Sequence, residues 1–331
     1  EGSNKKGLQK TFSACTDVKR YNERNYIDDV LANINADPHF VYPGAPADMS
    51  LINEIIWHQD EPFGTTSIIA EWSVFKLAKQ NGVKVTIDGH GADESLAGYH
   101  KFFFIYLIEL LSKGNIFHFI KEAKALKRKH GYSIKRIIKT VIFYYRNSSK
   151  VFVGKDNWFI PKMDKVKQIS GKLKLVDESL TQFSSSSVPM QLHWCDRDSM
   201  AHSVESRAPF LDVNLVEFII SCPSEYKINN GMSKFILRES LRRLLPQNIY
   251  ERVGKIGFAT PEEEWMTKDK KDFFLKLLDN SAELTKEVLG EEAFEISRKI
   301  INRDVPYNGF AWRVICFSNW IEVFNVKTRV N

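Results

Sequence analysis

The twelve residues Val83-Lys84-Val85-Thr86-Ile87-Asp88-Gly89-His90-Gly91-Ala92-Asp93-Glu94 constrain the fold of this chain more than any other stretch. Val83, Val85 and Ile87 alternate with Lys84 and Thr86, which is the period-two pattern of a strand. Gly89 and Gly91 then let the backbone turn, or approach a ligand, where a Cβ would block it. Asp93 and Glu94 stand where this loop enters a helix. In an open α/β sheet, ligands bind outside the carboxyl ends of the strands. Two adjacent carboxylates there suit a hard cation such as Mg²⁺, which keeps waters and bridges to substrate phosphates. The same acids also complement a helix dipole. The twelve residues by themselves leave both readings open.

The residues before this stretch predict strand and helix in alternation. Residues 10–15 read as a short buried strand, and Tyr26 to Asn33 carries apolar residues at helical spacing. His39-Phe40-Val41-Tyr42 is a second strand, stopped by Pro43-Gly44. Met49 to Trp57 reads as a helix that Asp48 or Ser50 can cap, ended by Asp60 to Gly64. Ser67 to Gln80 follows, capped by Thr65 or Thr66 and stopped by Asn81-Gly82. Such alternation predicts a mostly parallel sheet with helices on its faces. After about residue 95 the pattern turns helical, near 189–202, 214–221, 233–245, 271–290 and 292–303. The four serines Ser184 to Ser187 read as a flexible connection. The expected division is an α/β core over 1–112 and a helical remainder over 113–331.

The 331 residues suffice for one large domain or two medium ones, and 43% hydrophobic with 27% charged residues is a globular composition. A net charge of +6 permits an anionic ligand without requiring nucleic acid. The basic segment 121–150, with Lys121, Lys124, Lys127, Arg128, Lys129, Lys135, Arg136, Lys139, Arg146 and Lys150, reads as a solvated helix face. RNA or an acidic partner is the sharper alternative, and we expect no nucleic acid. The apolar run from Phe102 to Leu111 is short and broken by Glu109, so it predicts a buried helix and no membrane span. Cys15, Cys195, Cys222 and Cys316 lie far apart without zinc spacing, as expected of reduced thiols in a cytoplasmic protein. The opening Glu1 to Gly7 is polar, unlike a signal peptide, and reads as a loop or a chain cut partway.

Two further clusters carry chemistry. Asp196 to Asp212 holds four acids, two arginines and a histidine, a density that is costly to bury unless the charges pair. Asp196, Arg197, Asp198 and Arg207 therefore read as an ion-pair network, while Glu205 reads as a partly buried carboxylate able to act as a base. Arg252 to Pro261 sets Lys255 between glycines, which presents a cation to phosphate or simply makes a surface loop.

In order, Lys10-Thr11-Phe12-Ser13-Ala14, His58-Gln59-Asp60-Glu61-Pro62-Phe63, Asp88 to Tyr99, Ser199 to Asp212 and Lys255-Ile256-Gly257-Phe258 closely resemble the C-terminal synthetase domain of glutamine-dependent asparagine synthetases. The resemblance covers nearly the whole chain. It implies an adenine nucleotide α-hydrolase-like (Rossmann-like) parallel-sheet domain of the ATP-pyrophosphatase group. It also implies Mg-ATP-dependent activation of an aspartate carboxylate as an acyl-adenylate. Ammonia from a glutaminase domain or subunit then displaces AMP. Asp93 matches the family's magnesium aspartate, and Lys255 the loop lysine that steadies charge on the reacting phosphorus. Ala14, Asp88 and Gly89 match positions lining adenosine, and Thr66 falls near those of the aspartate pocket. A homodimer is among the assemblies the resemblance allows.

The sequence leaves the family at several points. Its pyrophosphate loop, Ser-Gly-Gly-x-Asp-Ser-Ser, does not precede Lys10, so the expectation is a core short of that loop, of its first strand and of one magnesium carboxylate. A glutaminase domain with its N-terminal cysteine is likewise not present. His90 stands where aspartate-using members often carry glutamate, although a neutral imidazole still serves as base or donor near pH 7. Asp88 replaces a common serine. Two alternatives follow: a relative that activates another carboxylate, such as a β-lactam or peptide-cyclising synthetase, or a catalytically incomplete piece that depends on a partner.

Overall fold

The computed structural model describes residues 8–147, 174–254, 257–285 and 287–327. β1 (Gln9–Ala14) and β2 (Ala36–Val41) pair in parallel from Gln9↔Ala36 to Ala14↔Val41. The crossover between them contains α1 (Arg24–Leu31), as parallel neighbours require. β2 begins earlier than its apolar residues suggest. Pro38, which cannot donate to a ladder, is accommodated because β2 lies at the edge of its two-stranded sheet.

α2 (Ser50–Gln59) and α3 (Ser67–Gln80) form where the pattern predicts. Asp48 Oδ1 accepts the Ser50 N–H at 2.8 Å, and Asp60 leaves α2 with φ 62°. β3 (Val85–Ile87) is shorter than its alternation suggests, because the Val83 N–H closes α3 on the Ala78 carbonyl at 3.0 Å. β3 pairs in parallel with β4 (Glu205–Arg207), Val85 opposite Glu205 and Ile87 opposite Arg207. Phe12 of β1 and Val83, two residues before β3, both pack against a small cluster that includes Phe75 and Ala78 of α3.

Between β3 and β4 the described residues are helical: α4 (Ala92–Ser95), α5 (His100–Ser112), α6 (Ile116–His130), α7 (Ile134–Asn147), α8 (Leu175–Ser185) and α9 (Ser187–Ala201). α6 and α7 bury Ala123, Leu126, Ile137 and Val141 and turn their described basic side chains largely outward, as a solvated face does; Lys150 lies outside the described residues. The four serines are no flexible connection. Ser184 and Ser185 end α8, Ser187 begins α9, and only Ser186 lies between. The stretch 233–245 is not one helix either. A hairpin of β5 (Ile228–Asn229) and β6 (Met232–Ser233) runs into a short helix, Phe235–Ser240. Its turn residues Asn230 and Gly231 have positive φ and donate both N–H groups to the buried Glu122 of α6, at 2.7 and 2.8 Å.

Three further long helices, Lys271–Thr285, Glu291–Asn302 and Phe310–Val323, close the core. The last was not anticipated. Trp312, Ile315 and Cys316 are all fully buried, and a helix buried around its circumference shows little amphipathic period. Its residues join Ile52, Ile56, Ile69 and Trp72 of α2 and α3 in one cluster, so residues on both sides of 112 share a core. A second cluster gathers Phe102, Leu107, Leu126 and Ile137. No helix among the described residues is long and apolar enough to cross a membrane.

Candidate functional site

The loop after β3 is a tight polar cluster. The Asp88 N–H extends the ladder to the Arg207 carbonyl at 2.9 Å. Its carboxylate accepts the Ser206 hydroxyl at 2.5 Å and the His90 backbone N–H at 2.9 Å, and His90 Nδ1 lies 2.8 Å from Asp88 Oδ1. Burial alone would raise the Asp88 pKa, but these contacts outweigh it and hold the carboxyl low. For His90, burial favours the neutral ring, yet Asp88 and Glu71 raise its pKa overall. A Cβ on Gly89 would meet nothing within 4 Å, so the space beside that backbone is open.

Two residues that sequence reasoning missed complete the cluster. Glu71 Oε1 lies 3.8 Å from His90 Nε2, and burial pushes its carboxyl up to about 7 against the pull of His90. Cys195 of α9 places Sγ 3.8 Å from Asp88 Oδ2, and burial followed by the Glu71 charge raises its pKa and keeps it a thiol. Ligand atoms of Glu71, His90 and Cys195 all lie within 4.8 Å of one another. A signal for Glu71 was in the sequence: it sits three residues after Ile68 and four before Phe75, an acid on the apolar stripe of a helix. Cys195 carried no comparable signal.

The expected ion-pair network forms only in part. Arg197 pairs with Asp60 at 2.8 Å and Arg207 with Glu205 at 2.7 Å. Asp198 instead is fully buried and accepts Gln59 Nε2 at 2.7 Å; burial and then Glu71 push it up to about 9. It is therefore a neutral acid at pH 7. Glu205 is exposed rather than partly buried, and Arg207 holds its carboxyl low, the reverse of what a general base needs.

The two acids of α4 divide their roles. Glu94 is buried and accepts Tyr99 at 2.5 Å, Ser187 at 2.7 Å and Gln191 at 3.0 Å, so it binds helices together. Asp93 pairs with Lys234 at 2.9 Å, a cation the sequence gave no reason to single out. Gly98 makes this possible, since a Cβ there would stand 1.7 Å from Asp93 Oδ1.

A pocket opens at the carboxyl end of β1, lined by Ala14, Glu23, Pro43 and the segment Gly257 to Pro261. Arg252 is ion-paired to Glu23 and stacks over Tyr26 at 4.1 Å. Lys255 lies outside the described residues, but the chain on either side of it is anchored at this pocket. Thr66 is fully buried. Its N–H donates to Glu262 at 2.8 Å and its hydroxyl meets that of Thr260, so both groups secure the pocket wall. Thr66 leads into α3, and Glu71 follows five residues later, roughly 8 Å along the axis. One helix thus joins the β1 pocket to the cluster behind β3.

A family model described as asparagine synthase matches residues 4–299. The chain is 24% identical over 301 residues to asparagine synthetase [glutamine-hydrolyzing] 1 of Bacillus subtilis, covering 82% of this chain and 45% of that protein. It is 44% identical over 92 residues to asparagine synthetase [glutamine-hydrolyzing] 3 of the same organism, covering 25% of this chain and 15% of that one. It is also 22% identical over 282 residues to amidase chyE of Penicillium rubens, covering 70% and 40%. The chain thus spans less than half the length of these relatives.

Proposed function

The chain belongs to the asparagine synthase family, and from that membership we propose that it carries the carboxylate-activating part of an ATP-dependent amidation. In this reading the two parallel strand pairs are parts of one α-hydrolase-type sheet. Such a sheet would cover the apolar face of β3, where Val85 is 40% and Ile87 75% exposed. Residues 1–112 hold the nucleotide, and 113–331 bring the loop around Lys255 to it. ATP lies at the carboxyl ends of β1 and β3, with Ala14, Asp88 and Gly89 along the adenosine. A carboxylate oxygen of the substrate bonds to the α-phosphorus as pyrophosphate leaves; ammonia then displaces AMP to give the amide. Lys255 carries cationic charge to the phosphates, and Thr66 shapes the wall on the acceptor side. His90, held by Asp88, is the base or donor nearest this chemistry, while the exposed Glu205 is left out of it.

Asp93, fixed against Gly98 beside Lys234, suits a single carboxylate ligand for Mg²⁺. Mg²⁺ commonly takes one or two carboxylates plus substrate phosphates. When bound it would neutralise charge on those phosphates. Ammonia from a glutaminase domain or subunit, a homodimeric assembly and a cytoplasmic location complete the reading.

The observation that carries it is the convergence on α3: Thr66 at its start braces the β1 pocket, and Glu71 further along meets His90. ATP–pyrophosphate exchange on the full-length protein, across a panel of carboxylic acids, tests it. Exchange that requires aspartate is the expected result. Exchange with another acid alone would favour the second reading, a different carboxylate acceptor, which the histidine at position 90 supports. Exchange with no acid would reject an activating role. Asp93→Asn should raise the Mg²⁺ concentration needed for half-maximal exchange about tenfold; an unchanged magnesium titration removes Asp93 from the reading.

A further inference from the structure

Three side chains of different metal-binding chemistry converge from α3, the loop after β3, and α9. The 3.8 Å between His90 Nε2 and Glu71 Oε1 is too long for a hydrogen bond. It is close to the ~3.3–3.5 Å that separates two ligands of one tetrahedral ion, given bonds of about 2.0–2.2 Å. Cys195 Sγ completes the group, with the three ligand atoms all within 4.8 Å of one another.

A second observation concerns the state of the imidazole. His90 Nδ1 lies 2.8 Å from Asp88 Oδ1, and Asp88 is itself fixed by the Ser206 hydroxyl at 2.5 Å and the His90 N–H at 2.9 Å. A carboxylate this close to Nδ1 favours the ring proton on that nitrogen and the lone pair on Nε2, the nitrogen beside Glu71. Metal-ligating histidines are oriented in this way, by a carboxylate on the nitrogen that does not bind the ion.

We propose that Glu71, His90 and Cys195 bind a divalent transition-metal ion of the zinc class, with Asp88 as the residue that orients His90. A thiolate and an imidazole select zinc-like ions over Mg²⁺ or Ca²⁺, which prefer oxygen ligands. A charge of +2 would offset most of the negative charge that the Cys195 thiolate, Glu71 and the neighbouring Asp88 place together, which lowers the cost of burying these anions. Three protein ligands leave a fourth position for water or a substrate atom. The Glu71 and His90 side chains keep 17% and 22% of their surface exposed, which gives an ion a route in. The inference rests on this geometry and not on the amidation proposed above; a bound ion would take His90 Nε2 and remove His90 as the base of that reading, leaving its other residues untouched.

The test uses the full-length protein, stripped with a chelator and titrated first with Co²⁺ and then with Zn²⁺ against a chromophoric chelator. The expected result is a thiolate-to-cobalt charge-transfer band that Zn²⁺ displaces. Cys195→Ser should abolish the band. His90→Gln should weaken Zn²⁺ binding by more than about 100-fold, and Asp88→Asn by about 10–100-fold. Cys222→Ser, outside the cluster, should leave both readouts unchanged. Thermal melts by circular dichroism establish that each variant folds; if Cys195→Ser does not, His90→Gln, on a loop, carries the test. A wild-type protein without the charge-transfer band overturns the proposal. So does a band and a Zn²⁺ affinity that survive in the folded variants.

Discussion

Asp198 illustrates how burial reverses the contribution a side chain makes. Its acid is pushed up to about 9 from 3.8, chiefly by desolvation, with only Gln59 opposing. Between those values the native chain holds a proton that the unfolded chain gives up. The contribution of Asp198 to stability therefore falls as pH rises from about 4 to about 9, by up to about 1.4 kcal/mol per pH unit. Glu71, raised from 4.5 to about 7, acts in the same direction over its own range. Asp198→Asn keeps an oxygen for Gln59 and removes the titration. The variant should exceed wild type by a few kcal/mol at about pH 8 and match it near pH 4. Urea midpoints across that range check this, and parallel slopes for the two proteins would sink it. Residue identity showed that an acid stood at 198; its charge state depended on how deeply α9 is buried, which no local pattern records.

α4 and the loop before it show the same division among elements. Gly91 has φ 85°, and a Cβ there would stand 2.2 Å from Leu211 Cδ2 and 2.9 Å from its Cγ. Gly91→Ala therefore meets both an unfavourable backbone region and a packed neighbour, and should cost about 2–4 kcal/mol. Denaturant unfolding measures this. An unchanged midpoint would mean that Leu211 yields and the left-handed turn is dispensable. The glycine itself was legible in the sequence, as were both ends of α3, because caps and apolar spacing are local signals. The late start of β3, whose expected first residue Val83 closes α3 instead, the serine junction of α8 and α9, and the fully buried helix Phe310–Val323 were not. Each depends on contacts with elements distant in sequence.

The whole molecule is held together by the core that α2 and α3 share with the last helices. Trp312 is fully buried there, and its Nε1 donates to the Phe63 carbonyl at 3.1 Å. Trp312→Ala should cost about 3–5 kcal/mol. Because the core spans both halves, tryptophan fluorescence and far-ultraviolet circular dichroism should shift together. A shift in fluorescence alone would show that the halves unfold independently. The sequence by itself determined the alternation of strand and helix, the ordered segments that identify the family, the positions of Ala14, Asp88 and His90 at or just after strand ends, and that of Asp93 where the loop enters a helix. Those follow from periodicity and turn chemistry, which act over a few residues. Only the tertiary structure decided that Cys195 meets Asp88 across 107 residues, that Lys234 pairs with Asp93, and that Glu205 faces solvent. Such pairings arise when separate elements bury their apolar faces on one another, and the polar groups they bring together appear in no single segment of the chain.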